Sequence, residues 1–255
     1  MLLCGQNDWR DWMLREEMEA QGNFLFRYRG LFPVPIVFGG VAAFTWTGFY
    51  GAFSWFSPGG WGAIGCFIVS LFGLLVRSVV VGHAPPGTSG RNTQSQVAET
   101  VNRDGLYSTV RHPLYFGNYL MWLGCVLMTQ SLSIVVIVSL IFALYYERIM
   151  FAEEAFVAAK YGDMYTDWAR NVSGFFPNLA RYRSSKRPLN IRKVFRQEVN
   201  GLLMLTLVFV IFSLVLTLTP LASEQTVLAT FVTILLPVVM VLKIVTKKSG
   251  LFHVE

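Results

Sequence analysis

Apolar residues in this chain are gathered into long blocks with few interruptions. Stretches without Asp, Glu, Lys or Arg run over residues 30–76, 112–146, 199–223 and 225–242. A helix that crosses a hydrocarbon layer of about 30 Å needs roughly 20 apolar residues, and about 17 suffice. The four stretches therefore predict six spans, at residues 31–53, 61–81, 114–128, 132–146, 202–218 and 226–242. Ser57-Pro58-Gly59-Gly60 divides the first stretch and Thr129-Gln130-Ser131 divides the second, each read as a tight turn. The middle pair is short on both sides of its turn and predicts a helical hairpin.

The polar segments between these blocks differ in kind. Residues 1–30 mix Trp9, Trp12 and Met13 with charges of both signs, which fits either a helix lying on the membrane interface or an ordinary solvated helix. Residues 82–111 are rich in Gly, Pro, Ser, Thr, Asn and Gln, a composition that resists helix and suggests a binding loop beside the membrane. The segment 147–198 begins as a continuation of the fourth span, with Phe151, Phe156 and Tyr161 at helical spacing, a break at Gly162, then Tyr165, Trp168 and a stop at Phe176-Pro177. The chain accordingly divides into an interfacial segment (1–30), two spans (31–81), a core of loop, hairpin 114–146 and helix 147–177 (82–180), and a basic segment with two final spans (181–255).

Composition fixes the solvent. Of 255 residues 54% are hydrophobic and 14% are charged, whereas a soluble domain carries about 25% charged residues. The fold expected is an all-α integral membrane bundle of about six transmembrane helices. None of the 21 Lys and Arg residues falls near 54–60, 129–133 or 219–225, the outer turns if both termini are cytosolic. The positive-inside rule then predicts N-in, C-in, with the +6 net charge on one membrane face. Arg77, near the inner end of its span, is expected to snorkel to the interface. Residues 181–196 hold seven cations and no acid, either to attract anionic lipid headgroups or as a plain topology signal. Asp8, Arg10 and Asp11 precede any apolar run, so no secretory signal is expected. Cys4, Cys66 and Cys125 make no disulfide framework.

Several chemistries are excluded by what the residues lack. Gly82-His-Ala-Pro-Pro-Gly87-Thr88-Ser89 has the glycine spacing of a phosphate-binding loop, yet Thr88 replaces the lysine, and Pro85 and Pro86 have no N–H for a phosphate. His83, His112 and His253 are too few and too scattered for a zinc site or a haem pair, so no metal is expected. The basic cluster has no stacking platform, so nucleic acid is not an expected partner.

One block carries chemistry: residues 104–124, DGLYSTVRHPLYFGNYLMWLG. Arg111 and His112 stand where the loop meets the membrane, Pro113 suits a first helical turn, and Tyr115, Asn118, Tyr119 and Trp122 follow on the short third span. Such groups at the mouth of an apolar helix are costly without partners and suggest a site. Interfacial anchoring by Tyr, Trp and Arg is the alternative.

Gly105-Leu-Tyr107 followed by Arg111-His112-Pro113-x-Tyr115-x-Gly117 resembles the signature of the isoprenylcysteine carboxyl methyltransferase and phospholipid methyltransferase superfamily. Glu153-Glu154, then Tyr161-Gly162, Tyr165 and Phe176-Pro177, resemble its second half. The resemblance covers residues 104–177 and implies a membrane enzyme that uses S-adenosylmethionine in a cytosol-facing pocket, with a membrane lipid or lipid-linked acceptor arriving from the bilayer. It implies cofactor contacts at Tyr107, His112, Pro113, Leu114, Tyr115 and Glu153 with Glu154 beside it, and along the loop from Glu99 through Thr100, Val101 and Asn102 and at Asn92; Arg111, within the motif, is a further candidate for the cofactor. It also points to an arginine just upstream of the acidic pair for catalysis, for which Arg148, with Glu147 beside it, is the nearest candidate. Trp122, and Arg91 in the donor-rich stretch 87–93, are candidates for acceptor binding.

Elementary chemistry agrees with that implication. Carboxylates and aromatic faces stabilise a sulfonium, and Arg or His binds an amino-acid carboxylate. Glu147 and Glu154, seven apart, are expected on one helix face, with Glu153 about 100° away. Methyl transfer from an activated donor needs alignment and exclusion of water rather than a nucleophile triad, and no triad is visible. Two other readings stay open: a membrane sterol or steroid reductase using NADPH, which needs cations converging on phosphates, and a non-catalytic membrane scaffold or transporter.

Overall fold

The structure, a computed structural model, describes residues 8–31, 33–50, 61–85, 100–216 and 226–248. The expected turn at 57–60, Asn92, Arg91, Glu99 and the turn near 219–225 lie outside these residues. Eight α-helices follow one another among the described residues: α1 (Asp8–Tyr28), α2 (Pro33–Tyr50), α3 (Trp61–His83), α4 (Pro113–Leu127), α5 (Leu132–Tyr161), α6 (Asp163–Ala169), α7 (Ile191–Leu216) and α8 (Thr226–Lys248). No strand occurs there; two isolated bridges join Gly105 to Arg183 and Val110 to Ser173.

Four of the six expected spans have the length and apolar character to cross a membrane: Trp61–His83, Leu132–Tyr161, Ile191–Val215 and Leu228–Thr246. The other two fall short of that set. α2 has 18 residues, and α4 has 15, or about 22 Å at 1.5 Å per residue. The limits of α4 are written locally. Pro113, which has no N–H to leave unpaired, opens it. At its other end Gln130 turns the chain at φ 54°, and the Ser131 hydroxyl caps α5 by accepting from Ile134 N.

α5 runs unbroken for 30 residues, about 45 Å, so roughly a third of it outlasts the hydrocarbon layer. That overhang carries Glu153 and Glu154. It stops at Gly162, whose φ of 55° suits a residue without Cβ, and α6 folds back from there.

Close packing of α3 on α4 depends on small residues. A Cβ at Gly124 would collide with Ser70 Oγ and the Cys66 carbonyl, and one at Gly73 with the Gly117 carbonyl and Met121 N. Ser70 Oγ donates to the Met121 carbonyl at 2.8 Å across this contact. Around it Phe67, Cys125, Met128, Phe209, Phe212 and Leu228 form an apolar core shared by α3, α4, α7 and α8. α1 is neither free in solvent nor merely interfacial: Gly22 lies against the Arg148 carbonyl, and Tyr145 Oη on α5 donates to the Leu25 carbonyl at 3.0 Å.

Part of the basic cluster is used inside the fold. Lys193 Nζ donates to the carbonyls of Ala84 (2.8 Å) and Pro85 (3.2 Å), where the negative end of the α3 dipole favours a cation. Arg181 donates to the Asn171 carbonyl.

Candidate active site

The cluster is positioned by two loops laid side by side. Arg111 N donates to the Ser173 carbonyl (2.8 Å), His112 N to the Gly174 carbonyl (3.3 Å) and Asn178 N to the Thr109 carbonyl (3.0 Å). These bonds hold Arg111 and His112 at the start of α4, opposite the overhang of α5. Between them opens a cavity of about 480 Å³, also bordered by the end of α1, by α3, α6 and α7.

Its mouth is a charged network. Arg111 Nε donates to Glu154 Oε1 at 2.8 Å, and Arg111 Nη1 donates to the carbonyls of Ala169 (2.7 Å) and Val172 (3.1 Å). His112 Nε2 lies 2.8 Å from the same Glu154 oxygen, and its Nδ1 lies 3.5 Å from Glu153 Oε2. Tyr115 Oη donates to Glu153 Oε1 at 2.6 Å, and Arg29 Nη1 stands 3.9 Å from that oxygen. Burial opposes a charged imidazolium, but hydrogen bonds and charges from Glu153 and Glu154 outweigh it and raise the His112 pKa above its ordinary 6.5. Burial likewise pushes Tyr107 up to about 12, helped by the Glu153 charge and opposed by a hydrogen bond with Asn102.

Aromatic faces enclose this network. The His112 and Tyr115 rings stack 5.6 Å apart, Tyr115 meets Tyr146 at 4.7 Å, and α6 brings Tyr165 and Trp168 to the opposite wall. The Trp168 indole N–H is buried without a hydrogen-bond partner among the described residues. A buried donor left unpaired costs about 1–3 kcal/mol, so its place on a cavity wall marks it for a ligand atom.

A second polar group lies farther along α4. Arg77 from α3 forks onto Glu198 from α7, with Nε donating to Oε2 at 3.0 Å and Nη2 to Oε1 at 2.8 Å. Arg77 Nη1 donates to Asn118 Oδ1 at 2.6 Å, and Asn118 Nδ2 donates to Tyr146 Oη at 3.2 Å.

Of the residues expected to bind cofactor, Thr100, Val101, Asn102, Tyr107, Arg111, His112, Pro113, Leu114, Tyr115, Glu153 and Glu154 all line this one cavity, as does Trp122. Glu147 and Arg148 do not. They pair with each other at 3.2 Å outside it, and the Arg148 backbone packs against α1 at Gly22. The face of α5 turned to the cavity runs through Tyr146, Glu153 and Val157. Glu147 shares a helix face with Glu154, seven residues on, yet it lies outside the cavity lining and its side chain is 57% exposed. Arg77 does not snorkel to solvent either; it turns into the cavity toward Glu198. Asn118, singled out in the sequence as part of a site, also lines the cavity, whereas Arg29, Arg77, Tyr146, Trp168 and Glu198 were passed over as lining residues. Arg77 and Glu198 carried a usable signal, since Arg77 is an isolated charge at the edge of an apolar block and Glu198 is the one acid at the end of a basic run, directly before another.

A helical bundle with four membrane-length apolar helices among the described residues defines an integral membrane protein, and its charged, aromatic cavity has the size usual for a small-molecule pocket. Residues 62–164 match the phospholipid methyltransferase family, consistent with the wider isoprenylcysteine carboxyl and phospholipid methyltransferase superfamily. The chain is also similar to the cobalt-zinc-cadmium resistance protein CzcN of Cupriavidus metallidurans, at 38% identity over 37% of this chain and 41% of that protein. It is 36% identical to the nickel-cobalt-cadmium resistance protein NccN of Alcaligenes xylosoxydans xylosoxydans over 31% of this chain and 37% of that protein. The chain thus spans about two fifths of the length of the curated relatives it matches. No solved structure matches it.

Proposed function

We propose that this protein is an S-adenosylmethionine-dependent methyltransferase that modifies a membrane lipid or lipid-linked acceptor at the cytosolic membrane interface. The observation that carries the reading is the Glu153-Glu154 pair meeting Arg111, His112 and Tyr115 in one cavity. The family match over residues 62–164 supports it. The residues present fit the cofactor. About 480 Å³ lies within the range of about 300–1,000 Å³ usual for small-molecule sites. Two carboxylates and the rings of Tyr107, Tyr115, Tyr165 and Trp168 suit a cation, and the unpartnered Trp168 N–H offers a donor.

When bound, S-adenosylmethionine supplies a methyl group already activated on a sulfonium. The protein's residues then have to bind, orient and exclude water. Glu153 and Glu154 set a negative potential on the α5 side and hold His112, while Arg111, bonded through Nε and Nη1 among the described residues, can turn its Nη2 donors to a carboxylate. Tyr115, held by its bond to Glu153, forms a rigid floor between that end and the deeper cavity. Enclosure by α6 keeps water from the reacting atoms, where alignment supplies most of the rate. The one-sided distribution of Lys and Arg supports a cytosolic mouth, and the exposed cations of 181–196 suit anionic headgroups beside it.

A nicotinamide cofactor is the weaker reading. Three arginines line the cavity, but a carboxylate stands within 4 Å of each: Glu153 at 3.9 Å from Arg29, Glu198 at 2.8 Å from Arg77 and Glu154 at 2.8 Å from Arg111. Phosphates would meet cations that are already matched. The names of the curated relatives concern metal resistance; among the described residues no group of three or more His, Cys, Asp or Glu is placed to hold a metal ion.

Calorimetric titration of S-adenosylmethionine into the purified protein in detergent tests the reading. Saturable binding is expected, weakened about a hundredfold in a His112→Ala, Glu153→Ala variant that still unfolds cooperatively, the worth of two charge-assisted contacts. Absence of binding, or equal binding by the variant, contradicts it.

A further inference from the structure

The Arg77–Glu198 pair stands apart from the groups assigned to the cofactor. Its link to them is indirect, from Asn118 to Tyr146 Oη and from the Tyr146 ring to that of Tyr115. The Glu198 side chain is only 6% exposed, and Arg77 is 24% exposed. An ion pair in an apolar layer carries a large desolvation cost, and hydrophobic residues of similar volume would tie α3 to α7 at least as well. Those two helices already touch by apolar contact one turn along, where Leu74 approaches Gly201. Intramembrane charges that face a cavity mark a ligand path by default, and Arg77, Asn118, Tyr146 and Glu198 all line this one.

The chemistry of the cluster restricts what it can hold. Three of the five guanidinium N–H groups are spent on Glu198 and Asn118 among the described residues. Each Glu198 oxygen accepts one of these bonds and keeps a further lone pair. The pair is therefore close to neutral, rich in acceptor capacity, and unfavourable to a second anion, which would lie against Glu198 without a fresh cation. Beyond it the cavity turns apolar, between Met121, Trp122 and Cys125 on α4 and Gly201, Met204 and Leu205 on α7. These residues continue the stripe begun by Asn118 at spacings of three, four and seven and that begun by Glu198 at three, six and seven, each on one helix face.

We infer that Arg77, Glu198 and Asn118 form the acceptor head-group site. It selects a hydrogen-bond-donating head without negative charge, an amine or a hydroxyl, whose hydrocarbon chain lies between α4 and α7. The word acceptor rests on the methyltransferase reading; the binding preference does not.

Equilibrium binding of hexadecylamine, hexadecanol and palmitate to the purified full-length protein in micelles, corrected against empty micelles near neutral pH, tests the site. Wild type binds the amine and the alcohol at least about tenfold more tightly than palmitate, the worth of one charge-assisted hydrogen bond. In an Arg77→Met, Glu198→Met variant, which removes both charges together, the three affinities converge to within about twofold, while S-adenosylhomocysteine binds as in wild type. Glu198→Gln, measured alongside, leaves Arg77 unmatched and turns the preference toward palmitate. Palmitate binding as tightly as the amine in wild type overturns the inference, and so does a preference unchanged in both variants. Failure of S-adenosylhomocysteine to bind wild type, with the head-group preference intact, counts against the methyltransferase reading and leaves this site standing.

Discussion

At the scale of single residues, His112 is the most informative group. Its two ring nitrogens face two carboxylates, which hold its pKa above the ordinary 6.5 despite burial. A raised value in the folded state means that the contribution of these contacts to stability is complete below 6.5 and is lost as pH rises through the folded value. Thermal unfolding followed on the alkaline side should therefore show a falling midpoint in wild type and a flatter one in His112→Gln; equal slopes would count against the pairing. Trp168 gives an opposite pair of effects. Its indole N–H has no partner among the described residues, so Trp168→Phe removes a buried unpaired donor worth about 1–3 kcal/mol and should not lower the unfolding midpoint of the ligand-free protein. The same change should weaken S-adenosylmethionine by about tenfold, and a variant that loses stability but keeps affinity would contradict the assignment. Arg111, His112, Tyr115 and the acidic pair were legible in the sequence because ionisable groups at the mouth of an apolar helix need partners. Arg77 was misread because a cation near the end of a span has two outlets, solvent or a partner, and only the position of α7 decides between them. Glu147 and Arg148 lie outside the cavity lining although Glu147 shares a helix face with Glu154; motif spacing does not fix which turns of a long helix the cavity reaches.

Among the helices, the α3–α4 contact decides whether the site exists. Gly73, Gly117 and Gly124 let the two backbones approach so closely that added side-chain atoms have no space. Gly124→Val should cost about 1–3 kcal/mol by overpacking and lower the unfolding midpoint in detergent. By displacing α4 it should also weaken cofactor binding, even though Gly124 lies outside the cavity lining. A variant with wild-type stability would show that the contact is looser than described. The hairpin, its polar turn, Pro113 at the start of α4 and the halt at Gly162 were all readable, because each rests on local backbone chemistry. The docking of α1 was not. Its sequence mixes charges with Trp, Met and Phe without a clean apolar stripe, and its seat on α5 is set by Gly22 meeting a backbone carbonyl, which leaves no trace in hydropathy. Among the described residues four helices have membrane-spanning length, and the charge-free block 112–146 also holds the short α4, a length that absence of charge does not reveal.

For the molecule as a whole, the scarcity of charge identified the solvent, and the placement of what remains organises the function. Apolar faces of α5 and α8 stay exposed at Ile137, Leu140, Ile234 and Val238, as expected of helices facing lipid. The charges within the bundle are gathered at one cavity, where arginines and carboxylates from α1, α3, α5, α7 and the loop before α4 meet in pairs. The family match spans α3 to the start of α6, so Arg29, Trp168 and Glu198 line the cavity from outside the matched range. The central claim, transfer of a methyl group to a membrane acceptor, is tested most directly by incubating membranes containing the protein with S-adenosylmethionine labelled in its methyl group and following the label into the lipid extract. The account predicts label in organic-phase material for wild type and at least about a hundredfold less for the His112→Ala, Glu153→Ala variant present in equal amount. Label absent from the lipid and lipid-linked fraction, or equal in the two proteins, would contradict it.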